Sequence, residues 1–131
     1  MPRVSGLLET SLYVEDLERS AHFYTTILGF DVVDSGERLC ALKVADRQLL
    51  LLCKKGASTA LQPGGHDAEG RLHLALAIPE NEIGWWEAWL EQHGVSIEER
   101  HSWELGGRSL YFRDPDNHLL ELATPGVWPI Y

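Results

Sequence analysis

The sequence predicts an α+β fold built from two β-α-β-β-β modules. One indication is the order of patterns, because each half opens with strand-like alternation and passes into a single helical repeat. Another is a glycine directly after each helical segment, at Gly29 and at Gly94, where helices commonly end. A third is the register: Glu9 stands 20 residues before Gly29, and His73 stands 21 before Gly94. The halves share little identity, so the repeat rests on pattern alone.

The first module covers about residues 5–55. Leu7 to Val14 is predicted to be a strand, and Asp16 is placed to cap the helix that continues to Gly29. Three short strands are then predicted, at Phe30–Val33, Leu39–Val44 and Gln48–Cys53.

The second module covers about residues 70–126. It begins with a strand over Leu72–Ile78, a possible N-cap at Asn81 and a helix from about Glu82 to His93. Its remaining strands are predicted at Val95–Glu99, Ser109–Arg113 and Leu119–Ala123, the last two joined by the turn sequence Asp114-Pro115-Asp116-Asn117.

Two segments lie outside this pattern. Residues 54–70 are rich in glycine and polar side chains, which is typical of a linking loop. Residues 124–131 form a tail with several apolar side chains, and we expect it to dock on the domain or on a partner subunit. The whole chain, residues 1–131, is interpreted as a single domain.

Composition excludes several classes of protein. A net charge of −9 argues against nucleic acid and membrane partners, which need basic surfaces. No apolar stretch is long enough to span a membrane, and no signal peptide is visible. Cys40 and Cys53 each lie in an apolar run and are expected to be buried free thiols. A cytoplasmic location is therefore expected.

Three residues of metal-ligand type occupy comparable strand positions. Because strand side chains alternate, Glu9, His73 and Glu121 each stand opposite the large apolar face of their own strand. Two carboxylates in one cleft are unfavourable unless a cation neutralises them. Carboxylate and imidazole suit Mn, Fe, Co, Ni or Zn, and three ligands leave room for substrate. Taken singly, each residue is more typical of an ordinary surface or core position than of a metal ligand, so the hypothesis depends on the repeat.

The same alternation predicts a substrate face on the closing hairpin. Ser109, Tyr111 and Arg113 would share the cleft with the metal if Leu110 and Phe112 pack under the helix. Tyr111 could then donate a hydrogen bond to substrate, and Arg113 could pair with an anionic group. The alternative for each is a solvated or cross-strand role.

These residues carry a family resemblance over nearly the whole chain. The matching segments are Glu9-Thr-Ser-Leu-Tyr-Val-Glu-Asp-Leu-Glu-Arg-Ser-Ala-His-Phe-Tyr, Ile27-Leu-Gly-Phe, His73-Leu-Ala-Leu-Ala-Ile and Leu110-Tyr-Phe-Arg-Asp-Pro-Asp-Asn-His-Leu-Leu-Glu-Leu. The chain resembles the vicinal oxygen chelate superfamily of glyoxalases, bleomycin-resistance proteins and extradiol dioxygenases. The resemblance implies paired modules whose sheet curls around a metal cleft, with Glu9, His73 and Glu121 at ligand positions. It also implies a homodimer, with sites within or across chains.

Two departures narrow the function. The first ligand position, which more often holds histidine in the family, holds Glu9, and this disfavours ring-cleaving dioxygenase chemistry. Leu51 stands where four-ligand glyoxalase I enzymes carry a further glutamate. A three-ligand site remains, as in thiol transferases that confer fosfomycin resistance. Bleomycin-binding members lack the metal set and are a poorer match.

The sequence therefore predicts one divalent metal, acting as a Lewis acid on a small substrate with adjacent oxygens. Lyase or isomerase proton transfer is favoured, with Glu9 or Glu121 as the base. Thiol transferase, extradiol dioxygenase and non-catalytic small-molecule binding are the alternatives. Binding alone would exploit the tryptophans, but three of them stand at helical spacing and favour helix packing: Trp85, Trp86 and Trp89.

Overall fold

The structure is a computed structural model that describes residues 1–131. Each half of the chain contains one four-stranded mixed sheet. The chain divides into unit 1, residues 1–70, and unit 2, residues 71–131. The elements of unit 1 are β1 (Glu9–Val14), α1 (Leu17–Ile27), β2 (Asp31–Ser35), β3 (Leu39–Ala45) and β4 (Gln48–Lys54).

Unit 2 repeats this order with one added turn. Its elements are β5 (His73–Ala77), a 3-10 turn (Glu80–Glu82), α2 (Ile83–Gln92), β6 (Glu99–Ser102), β7 (Arg108–Arg113) and β8 (Leu119–Ala123). The sheet orders are β1-β4-β3-β2 and β5-β8-β7-β6, with the first two strands parallel in both. The predicted α+β fold of paired β-α-β-β-β modules is confirmed.

The repeat extends to the pairing of individual residues. Glu9 opens β1 opposite Leu49, just as His73 opens β5 opposite Leu119. Two residues further along the closing strands, Leu51 of β4 corresponds to Glu121 of β8. The two modules therefore present different chemistry at the same position: an apolar side chain in unit 1 and a carboxylate in unit 2.

Helix α1 forms as its local signals predict. The Asp16 side chain accepts a hydrogen bond from the backbone N–H of Arg19 at 3.0 Å, which caps the first turn. Gly29 follows the helix with φ of 69°, a conformation that glycine adopts without strain. The helix packs on β3 and β4 and buries Ser20, Tyr24 and Ile27. This packing supports the sheet that carries Glu9.

Two local predictions in unit 2 are wrong. Asn81 does not cap α2, because it lies inside the 3-10 turn, and Glu82 occupies the cap position without a side-chain bond. The strand predicted at Val95–Glu99 lies instead at Glu99–Ser102. The backbone N–H of Val95 bonds to the carbonyl of Leu90 at 2.9 Å, so this segment completes the helix end before pairing begins.

The turn between β7 and β8 follows its sequence. The Asp114 carboxylate accepts hydrogen bonds from the backbone N–H groups of Asp116 at 3.0 Å and His118 at 2.8 Å. Asn117 takes φ of 63°, a conformation that asparagine tolerates. The buried His118 accepts a bond from the Leu72 N–H at 2.9 Å, so its role is structural.

The tail after β8 folds back on unit 2. The Tyr131 hydroxyl donates to the carbonyl of Ile78 at 3.1 Å, and its backbone carbonyl accepts from the N–H of Gly126 at 2.6 Å. No helix in the structure is long and apolar enough to cross a membrane.

The tail is also fixed by a close approach of two backbones. A Cβ atom on Gly107 would lie 2.3 Å from the backbone carbon of Gly126 and 2.3 Å from the nitrogen of Val127. Real side chains do not approach backbone atoms this closely, so only glycine fits at position 107. The β6–β7 turn and the tail are therefore held as one piece.

Substituting Gly107→Ala should destabilise the protein by about 1–3 kcal/mol, because the backbones of turn and tail must separate to admit a methyl group. The matched control is Gly84→Ala in α2, where an added Cβ meets nothing within 4 Å. That substitution should stabilise by up to about 1 kcal/mol through helix propensity. Urea unfolding of the three proteins measures both effects, and equal stability of Gly107→Ala and native protein would contradict the close approach.

Candidate functional site

The residues predicted for the site in unit 2 share one face of its sheet. Residues directly opposite in register project to the same side, so cross-strand rows define that face. Three rows do so: His73, Leu119 and Arg113; then Ala75, Glu121, Tyr111 and Glu99; then Ala77, Ala123, Ser109 and His101. The first two rows bring His73, Glu121 and Tyr111 together from three different strands.

His73 and Glu121 form the centre of this face. Their Nε2 and Oε2 atoms lie 3.2 Å apart, with the carboxylate buried and the imidazole half exposed. The His73 Nδ1 atom lies 2.9 Å from the carbonyl oxygen of Leu119. Because a carbonyl only accepts, Nδ1 carries the hydrogen, and this directs Nε2 towards Glu121.

The second oxygen of Glu121 is held by a chain of hydrogen bonds. The Ser109 hydroxyl donates to Glu121 Oε1, and the Trp103 indole N–H donates to Ser109 Oγ at 2.8 Å. A hydroxyl has one hydrogen, so Ser109 can keep it on Glu121 while accepting from Trp103. Both oxygens of the carboxylate are thus oriented before any ligand arrives.

The His73–Glu121 pair fits a divalent metal. If Nε2 carries no hydrogen, its lone pair faces a carboxylate oxygen, an arrangement that is unfavourable unless a cation lies between them. Ligand atoms about 2.1 Å from one ion are separated by about 3.0 Å in octahedral and about 3.4 Å in tetrahedral geometry. The observed 3.2 Å lies within that range. The bond from Nδ1 to a carbonyl is also the usual second contact of a metal-binding histidine.

Tyr111 lies beside His73 and Glu121, and these three side chains form the polar centre of the sheet face. Its ring lies roughly parallel to that of His73, with the two centroids 6.4 Å apart. Burial raises the pKa of the Tyr111 phenol, and the charge and hydrogen bonding of Glu121 raise the pKa further. The phenol therefore keeps its hydrogen in the neutral range and directs it to Glu121, and donation to a substrate stays a prediction.

Arg113 forms a two-point contact with Glu98, which the sequence pattern does not predict. Its Nε and Nη2 atoms contact the two carboxylate oxygens of Glu98 at 2.7 and 3.0 Å, and Nη1 donates to the carbonyl of Asn117 at 3.1 Å. The hydrogen bond to Arg113 lowers the pKa of Glu98. Binding of a substrate anion by Arg113 stays a prediction.

Glu9 belongs to unit 1, where it is exposed at the start of β1. Ser11 and Tyr13 share its face, and the Tyr13 hydroxyl lies 2.7 Å from Nδ1 of His66, a residue of the linking loop. The structure shows no group of three or more His, Cys, Asp and Glu side chains arranged to hold a metal ion. The role of Glu9 as the third ligand stays a prediction.

The sequence pattern does not predict the role of Trp103, because it places β6 at Val95–Glu99 and not at Glu99–Ser102. With a strand ending at Glu99, Trp103 lies in an unpaired turn, whereas the true pairing of Ser102 with Arg108 brings it beside Ser109. The paired glycines Gly106 and Gly107 were the available signal, because they mark a tight turn between two strands.

The Arg113–Glu98 contact predicts a pH response. Replacing Arg113 with Ala should raise the Glu98 pKa towards its ordinary value of about 4.3, since the hydrogen bond that favours the ionised form is lost. In native protein the stabilisation from Glu98 is present above that ordinary pKa and is lost as pH falls through the lowered value. Carboxyl titration by NMR measures the shift. Arg100→Ala, which removes the contact with Glu87, is the control and should leave Glu98 unchanged.

Comparison with known proteins identifies the family and similar folds. The model of the Glyoxalase/Bleomycin resistance protein/Dioxygenase superfamily matches residues 6–122. The fold is similar to a crystal structure of lactoylglutathione lyase from Agrobacterium tumefaciens, with 29% identity, a TM-score of 0.91 and coverage of 98% of this chain and 99% of that one.

Sequence relatives include two further kinds of enzyme. Metallothiol transferase FosB of Staphylococcus epidermidis is 29% identical over 122 residues, which cover 92% of this chain and 84% of that protein. Catechol-2,3-dioxygenase of Bacillus subtilis (strain 168) is 30% identical over 112 residues, 85% of this chain. The chain spans only 38% of the length of that dioxygenase. The family match extends over most of the chain and both modules, and the chain belongs to the Glyoxalase/Bleomycin resistance protein/Dioxygenase superfamily.

Proposed function

We propose that this chain is a divalent-metal-dependent enzyme that activates a small substrate with adjacent oxygen atoms. The observation that carries the proposal is the His73–Glu121 pair, whose ligand atoms lie 3.2 Å apart and are each oriented by a second contact. Zn, Ni, Mn, Fe and Co all suit one imidazole with carboxylates. Glu9 is the third ligand in this proposal, because its strand position in unit 1 corresponds to that of His73 in unit 2.

The bound metal would supply Lewis-acid polarisation of the two substrate oxygens. Tyr111 lies on the same sheet face as Glu121 and would donate a hydrogen bond to the same substrate. Glu121 has both oxygens engaged and serves mainly to hold its position. Glu9 is exposed at the start of β1, and it is the better candidate to remove a proton from the carbon beside a carbonyl. The resulting reaction is a lyase or isomerase proton transfer.

Transfer of a thiol to an epoxide is the second candidate. It is supported by the match to metallothiol transferase FosB, which covers most of both proteins. The same polar centre would then hold the epoxide oxygen, and no proton would be removed from carbon. The two candidates share the metal site and differ in the second reactant.

The proposal includes a homodimer in a reducing cytosol. Strand β1 is an edge strand of its sheet, and Leu7 and Leu8 beside it are exposed, which favours a second copy as their cover. Cys40 and Cys53 are buried and free, as expected where thiols stay reduced.

Metal content is the direct test. Purified native protein, reloaded with each candidate metal, should hold about one ion per chain, whereas Glu9→Ala, His73→Ala and Glu121→Ala should each lose most of it. His22→Ala on α1 and Glu99→Ala on the same sheet face are controls that should bind like native protein. Elemental analysis after gel filtration gives the result. Native protein that refuses every metal would contradict the proposal.

Metal-loaded protein should then be screened against an α-hydroxycarbonyl compound, an epoxide offered with a thiol, and a catechol. Turnover of the first, with loss of hydrogen from carbon, supports proton transfer, and turnover of the second supports the transferase. Glu9→Gln, which keeps an oxygen ligand, should retain metal and abolish proton transfer. Unchanged turnover in that variant would remove Glu9 from the role of base.

Ser109→Ala should weaken metal binding about 10- to 100-fold, because a second contact that orients a ligand is lost. Trp103→Phe should have a smaller effect, since the Ser109 hydroxyl can still donate to Glu121. Ser102→Ala, at the exposed end of β6, is the control. Competition against a chelating dye measures the three affinities, and native affinity in Ser109→Ala would show that Glu121 needs no such support.

A further inference from the structure

A cavity opens at the end of the unit 2 sheet face that carries His73 and Glu121. It has a volume of about 500 Å³ and is lined by the β6–β7 turn on one side and the tail on the other. Ser102 and Glu104 are its polar non-aromatic lining residues, and the rest of the lining is formed by His101, Trp103, Leu105, Val127, Trp128 and Pro129. His101 is paired with Ser109 across strands β6 and β7, and the next cross-strand row of the same face contains Glu121 and Tyr111. The cavity therefore lies beside the row that contains Glu121 and Tyr111.

The lining is unusually apolar for an exposed surface. Trp103, Leu105 and Trp128 expose 37%, 62% and 67% of their surface, although each is large enough to gain from burial. Apolar side chains grouped in this way commonly mark a site that something else covers. The His101 ring meets the Trp103 ring edge to face, with centroids 4.4 Å apart, so one wall is already an ordered aromatic surface.

Backbone hydrogen bonds hold the main chain of both walls. In the turn, the backbone N–H of Trp103 donates to the carbonyl of Gly107 at 2.8 Å, and the backbone N–H of Gly106 donates to the carbonyl of Trp103 at 3.0 Å. In the tail, the Tyr131 N–H donates to the Trp128 carbonyl at 3.0 Å. The contact between Gly107 and Gly126 locks one wall to the other. Little ordering of the cavity is therefore required when a ligand enters.

One wall is also bonded to the metal-binding pair. The Trp103 indole N–H donates to Ser109, whose hydroxyl donates to Glu121, so the position of the ring is fixed relative to the carboxylate. A ligand whose oxygens reach Glu121 and Tyr111 has this cavity beside it. A cavity of about 150 Å³ holds benzene, so the larger, open one here accommodates one or two fused rings.

From these observations we propose that the cavity is a subsite for a planar aromatic group carried by the substrate. The attachment of that group to a metal-chelating part rests on the proposed function, whereas the affinity of the cavity for aromatic rings does not. Stacking on Trp103 and Trp128 selects flat rings over puckered aliphatic ones. The subsite thereby sets which substrates the enzyme prefers.

The first experiment uses 2-naphthol as the probe on the full chain, with and without metal. Titration should shift the indole N–H signals of Trp103 and Trp128 in the NMR spectrum and leave that of Trp85 in place. Affinity measured by calorimetry should fall about tenfold in Trp128→Ala, which removes one wall. Trp85→Ala is the matched control, because Trp85 is 55% exposed on α2 outside the cavity.

Several results would overturn the subsite. The first is that native protein does not bind 2-naphthol. The second is that Trp128→Ala binds it as tightly as native protein does. The third is that Trp85→Ala loses as much affinity for it as Trp128→Ala does. Binding of a saturated bicyclic alcohol as tight as that of 2-naphthol would overturn the aromatic selectivity. Binding that persists in metal-stripped protein supports the subsite even if the metal proposal fails. With an active substrate series, Trp128→Ala should raise KM for aryl-bearing members and leave kcat and KM of the others unchanged.

Discussion

The structure of unit 2 depends on satisfying one buried carboxylate. Glu121 lies in the middle of its sheet with 6% of its surface exposed, where an ionised group without partners would strongly oppose folding. Ser109 on the neighbouring strand β7 donates a hydrogen bond to one oxygen, and the proposed metal, shared with His73 on β5, would neutralise the other. Trp103 and Leu119 position the two side chains in turn. The same contacts that make the carboxylate tolerable leave it aimed at the space in front of the imidazole. Stability and ligand geometry therefore have a common origin.

The two modules solve the same packing problem with different residues. In unit 1 the position that corresponds to Glu121 holds Leu51, which packs without any need for polar partners. At the positions that correspond to Ser109, Tyr111 and His73, unit 1 carries Leu39, Ala41 and Glu9. The internal repeat therefore supplies two similar sheets of which one is specialised, and Glu9 is the one strong ligand type at the corresponding positions of the other.

The fold and the shared sheet face of the candidate residues in unit 2 could be predicted from the sequence, because both depend on short-range patterns. Alternation places His73, Glu121, Ser109 and Tyr111 on one face, and the structure brings them together there. The Arg113–Glu98 contact was not predictable, because it depends on where β6 begins. That boundary depends on how Val95 completes the preceding helix, a backbone bond that leaves little trace in residue type. The predicted role of Glu9 as the third metal ligand depends on contacts between residues far apart in the sequence, which the alternation within one strand does not describe.

Trp103 and Trp128, the two tryptophans that line the cavity, differ in how easily another residue type can replace them in homologues. The Trp103 ring faces the cavity while its N–H supports Ser109, so a replacement must meet two demands at once. Trp128 has its side chain 67% exposed and meets the cavity from a tail that backbone bonds already hold in place. Among homologues we therefore expect position 103 to be restricted and position 128 to vary. Such a division would let ligand preference drift across evolutionary time while the polar centre stays unchanged.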